Sequence, residues 1–129
     1  IFDSSSLENE IVDVLVVSTS YARAWPDALA RLLEGYFKAL RHIEQHPQRY
    51  LPIMAEFEGV QPEAFKRSLS GLLIPDLNAN HRLLGGARPE LAETLSRVTD
   101  FMTRTRILHG EAPRVPVITN DFLPAASND

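Results

Sequence analysis

His42 and His46 stand four residues apart in a stretch of helical periodicity, a spacing that suits a divalent metal. The residues between them are Ile43, Glu44 and Gln45, so the Glu that directly follows the first His in zinc proteases is missing. No cysteine or convincing third ligand lies near, and helical projection puts His42 opposite the apolar stripe. The expectation is a solvated polar face and no metal. Ser4-Ser5-Ser6 can present hydroxyls and backbone N–H groups to an anion, although a plain turn is the commoner use of such a cluster. Tyr21, at the exit of an apolar run, suits either packing or the lining of a cleft. At Trp25-Pro26 a hydrophobic staple onto the first helical turn competes with a stacking surface for a ligand ring. Gly85-Gly86-Ala87-Arg88 lacks the Gly-x-x-x-x-Gly-Lys pattern and follows a helix rather than a strand, so it reads as helix termination, not a phosphate loop. No Ser/His/Asp order and no carboxylate pair placed for acid–base work is legible. No catalytic residue and no cofactor is assigned, and an enzyme is not expected.

The elements that must position these residues are mostly helical. Ile11–Val17 is a near-continuous apolar run broken once by Asp13, the pattern of a strand buried on both faces. It is the one principal strand expected. A helix follows from about Pro26 to His46, with Leu29, Leu33, Tyr36, Leu40 and Ile43 in one stripe and Leu32 and Phe37 on its flanks. Gln48–Phe57, ended by Gly59, and a helix opening at Pro62-Glu63 behind the weak cap Gln61 come next. Asp76 reads as the N-cap of Leu77–Leu84, and Gly85-Gly86 as its left-handed stop. A last helix runs from Pro89 to about Leu108, acidic at its start and basic at its end, as the helix dipole favours. After Gly110 the tail is Pro-rich, and Pro116 demotes Val115–Ile118 to an edge strand or strap.

With 129 residues the chain has room for one domain. A hydrophobic content of 44% excludes a disordered chain, and no apolar run is long enough to cross a membrane. The net charge of −4 argues against nucleic acid, whose phosphates require a basic face, but leaves room for a small anion held by a few local donors. Zero cysteines remove disulfide and thiolate chemistry. No segment reads as a signal peptide. The opening Ile1-Phe2 looks like the end of a strand already under way, as in a trimmed or excised fragment.

Phe2-Asp3-Ser4-Ser5, the run Ile11–Val17, Tyr21, the Pro26 helix ending at His46-Pro47, Val60-Gln61-Pro62-Glu63, the stretch Leu73–Gly86 and Asp121-Phe122-Leu123 follow in an order and spacing that form a pattern. The pattern resembles the C-terminal half of the periplasmic substrate-binding proteins of nitrate/sulfonate/taurine-type ABC transporters, a group that includes relatives binding the thiamine pyrimidine precursor. It covers Phe2 to Leu123. Ser18-Thr19-Ser20 departs from it, since such proteins often carry basic residues there.

The resemblance implies a mainly α region with one principal strand, part of an α/β two-lobed type II periplasmic-binding fold. Residues 1–129 would form its C-terminal portion, with crossing strand 11–17, helical region 26–108 and extended tail 110–129. It further implies a missing N-terminal lobe, a small anionic or pyrimidine-like solute in the inter-lobe cleft, a membrane permease as partner, and a periplasmic or otherwise extracytoplasmic location compatible with a lipid anchor on the parent protein. The serine turn would lie near the lobe junction, so Ser4, Ser5, Ser6 and Tyr21 are the expected ligand-binding residues. Self-association of the fragment is expected, because an apolar strand with two open edges is a pairing template. Two other readings stay open: an enzyme of thiamine-pyrimidine synthesis, which would need a reactive His near a bound cofactor, and a ligand-sensing input module.

Overall fold

The computed structural model describes residues 11–109 and 118–126. Six helices form among them: α1 (Thr19–Ala24), α2 (Pro26–Gln45), α3 (Pro47–Phe57), α4 (Pro62–Leu69), α5 (Leu77–Leu84) and α6 (Glu90–Arg104). The mainly α expectation holds.

The expected strand does not form. Residues 12–18 carry no regular structure, every side chain over Ile11–Ser20 is exposed, and Ser18 is extended at φ −68°, ψ 145°. Ile11 and Val16 stand 75% and 77% exposed. The physical reason is the absence of a ladder. A strand needs a neighbour to accept and donate its backbone hydrogen bonds, and no second strand exists among the described residues. The run has strand composition without a sheet. The Val115–Val117 part of the expected edge strand lies outside the described residues.

The described residues fall into two compact units. The first takes residues up to Pro26 together with Asn80–Asp121, and the second takes Asp27–Ala79 with the segment from Phe122 onward.

In the first unit, α1 was not expected from the sequence. Ser18 starts it: its hydroxyl accepts from the Tyr21 N–H at 3.2 Å and satisfies one of the helix's free donors. Helix α6 carries Glu90 and Glu93 in its first turn and Arg104 in its last. It stops at Arg104, short of the expected Leu108. Arg106 N–H donates to Thr103 O and Ile107 N–H to Met102 O, closing a Schellman motif around Arg106 at φ 58°. The hydroxyls of Thr103 and Thr105 also donate to carbonyls one turn back, offering the backbone an alternative to continued helix.

In the second unit, α3 and α4 pack as a hairpin. Gly59, at φ +70°, ends α3 in a Schellman motif, with Gly59 N–H donating to Glu56 O and Val60 N–H to Ala55 O. Asp76 caps α5 as expected, accepting from the Ala79 N–H at 2.7 Å. The buried apolar side chains here are Leu29 and Phe37 of α2, Ala55 of α3 and Leu77 of α5. The α2 stripe is rotated from expectation. Phe37, placed on a flank, is 3% exposed, whereas Tyr36, placed at the centre, is 50% exposed. The core sits under Leu29, Leu33, Phe37 and Leu40, and no large described side chain in either unit is fully buried.

Candidate functional site

Ser4, Ser5 and Ser6 lie outside the described residues, so their grouping with Tyr21 does too. Tyr21 sits in α1 rather than at a strand exit. Its N–H is held by Ser18, its carbonyl accepts from the Trp25 N–H at 2.9 Å, and its side chain is exposed. Ser18 and Ser20 hydroxyls lie 3.2 Å apart on the opening turn of the same helix. Trp25 is exposed as well and terminates α1, so it does not staple the first turn of α2.

The concave surfaces of the second unit are built on α2. One groove encloses about 420 Å³ between Ala30, Glu34 and Arg41 of α2, Leu77 at the start of α5, and the segment Phe122–Ala125. Its walls differ in chemistry. Leu77 and Phe122 supply an apolar side, and the Asp76 cap fixes the backbone direction at Leu77. Glu34 and Arg41 supply a carboxylate and a guanidinium two helical turns apart, about 10 Å along the axis. Such a wall suits a small solute carrying both signs of charge, or an anion drawn to the guanidinium.

A second groove of about 350 Å³ lies between α2 and α3, lined by Gly35, Lys38, Ala39, His42, Ile43 and Tyr50. The His42 ring meets Tyr50 edge-on, with centroids 6.4 Å apart, and the Arg49 guanidinium lies 5.4 Å from the centroid of the Tyr50 ring. The aromatic contact gives His42 a role that its spacing from His46 does not predict. Among the described residues no group of three or more His, Cys, Asp or Glu is placed to hold a metal, and no helix is long and apolar enough to cross a membrane.

Sequence reasoning missed Glu34, Arg41 and Tyr50 as groove residues. Glu34 and Arg41 fall on the polar arc of α2, where a solvated charge and a groove-lining charge have the same pattern. What distinguishes them is the segment Phe122–Ala125, which comes from the far end of the chain. Comparison with protein-family models, curated proteins and solved structures finds no match to this chain.

Proposed function

We propose that this chain is one wall of the solute-binding component of an ABC import system. It would capture a small solute, sulfonate-like, nitrate-like or pyrimidine-like, in a cleft between two lobes and deliver it to a membrane permease from an extracytoplasmic location. The observation that carries the reading is Ile11–Val17. Its composition is that of a strand buried on both faces of a sheet, yet it carries no regular structure, no strand lies beside it among the described residues, and its side chains are exposed. Sheet neighbours supplied by another lobe would pair its backbone and cover its side chains, and the type II binding fold that the sequence resembles has such a crossing strand. The groove beside Arg41 and Glu34 adds a wall suited to a charged solute and favours a zwitterionic sulfonate over a simple anion.

The reading has a direct genetic test. The parent reading frame should encode a first lobe upstream of Ile1, preceded by a secretory signal and followed by no catalytic domain. A reading frame that instead joins these residues to an enzyme or a signalling domain would refute it.

A further inference from the structure

From the second unit we infer a docking site for an amphipathic helix of a partner protein, one whose apolar stripe is flanked by carboxylates. The site is the exposed half of the apolar surface of α2. This inference does not depend on the transport reading.

Helix α2 has more apolar surface than its own unit uses. At about 100° per residue, the apolar positions between Pro26 and Ile43 cover an arc of about 200°, twice the width a surface helix needs to bury one face. One half of the arc holds Leu29, Leu33, Phe37 and Leu40, which are buried or half-buried. The other half holds Leu32, Gly35, Tyr36 and Ala39, all exposed, with Leu32 at 56% and Tyr36 at 50%, and between them the half-buried Ala28 and Ile43. The Tyr36 ring meets the Phe37 ring edge-on at 5.1 Å between centroids, and Leu32 and Tyr36 keep about half of their surface open.

Gly35 sharpens the point. A glycine inside a helix is less favourable than alanine by about 1 kcal/mol. A Cβ at Gly35 would meet nothing within 4 Å, so no neighbour among the described residues explains the missing side chain. With Ala39 one turn on, it floors the 350 Å³ groove whose far wall is Tyr50. A trough of small residues at this spacing receives the ridge of another helix at close approach. From Leu32 to Ile43 it runs about 16 Å, three helical turns.

Charge selects the occupant. The edge of the trough next to Gly35 is formed in order by His42, Arg31 and Lys38, and the acids Glu34 and Asp27 lie further round the helix. Tyr50, which meets the His42 ring edge-on, carries Arg49 over its ring. The trough thus has a basic border along its His42 edge within a chain of net charge −4. Carboxylates flanking the partner's apolar stripe complement that border, and lysines in the same places are repelled by it.

The test is fluorescence anisotropy of the whole chain with two labelled model helices. Both carry the same leucine stripe; one is flanked by Glu and the other by Lys. The Glu peptide should bind, and the Lys peptide at least about tenfold more weakly. Gly35→Leu fills the trough from an open position and improves helix propensity. It should keep the circular dichroism spectrum and weaken the Glu peptide by about tenfold or more. Lys38→Glu with His42→Glu, both at exposed positions, should reverse the preference between the peptides. Equal binding of the two peptides, binding of neither, or indifference to Gly35→Leu would overturn the inference. Capture of the chain by phosphatidylserine vesicles without binding of the Glu peptide would also overturn it, and would assign the face to a membrane surface.

Discussion

Asn120 Nδ2 donates a hydrogen bond to His81 Nδ1 at 3.2 Å, tying the end of α5 to a residue 39 positions away in the same unit. Gly85 makes room for the tie. A Cβ at that position would come within 2.5 Å of the His81 carbonyl oxygen and 2.7 Å of Asn120 Nδ2. The first is a backbone atom that cannot swing away.

Gly85→Ala should therefore destabilise the first unit by about 1–3 kcal/mol through overpacking. Gly35→Ala, with open space around the new methyl group, should stabilise by about 0.5–1 kcal/mol through helix propensity alone. Urea denaturation of the two variants reads both effects. A Gly85→Ala variant as stable as the parent would show that the crowding at Gly85 does not govern its stability, and a Gly35→Ala loss would show that Gly35 is not free to take a side chain.

Two helix ends should respond in opposite directions. Asp76→Ala removes the side-chain acceptor for the Ala79 N–H and should cost about 1 kcal/mol. Arg106 holds the left-handed position that closes α6, where a side chain is strained by about 1 kcal/mol or more. Arg106→Gly should raise the denaturation midpoint. A lowered midpoint would mean that the arginine side chain contributes more than its backbone strain removes.

The exposed Ile11–Val17 run should drive association. Sedimentation velocity should show a concentration-dependent shift toward dimers and larger species, and Val14→Lys with Leu15→Lys should reduce it by charging the pairing edge. A monomer that is unchanged at high concentration would mean that the run does not template pairing.

The helix punctuation was legible in the sequence because it depends on residues close together in the chain. Asp76, Gly59 and Gly86 act within one turn of the helix they begin or end, and each does what its type predicts. The Ser18 cap belongs to the same class and was legible in principle. It was hidden by the apolar run before it, which made Tyr21 look like a strand exit rather than part of a helix. What depends on distant partners was not legible. Periodicity fixed the apolar arc of α2 but not which half is covered, so Phe37 and Tyr36 exchanged roles. Ile11–Val17 shows the same limit from the other side. Composition gave a strand, but pairing requires a neighbour that the described residues do not include. The groove at Arg41 and Glu34 depends on Phe122, and no local pattern joins residues that far apart.

Calorimetric titration against taurine, other sulfonates, nitrate and pyrimidines tests the solute-binding account most directly, run in parallel on this chain and on the protein encoded by the full parent reading frame. A closed cleft gains its affinity by burying most of the ligand between two walls. The account predicts binding by the full protein, strongest for a zwitterionic sulfonate and weakened by Arg41→Ala. Binding by these residues alone should be weaker by about a hundredfold or absent, because one wall leaves most of the ligand in water. Equally tight binding by the chain alone would place the whole site within these residues and contradict the one-wall account. A full protein that binds none of these solutes would contradict the transport reading itself.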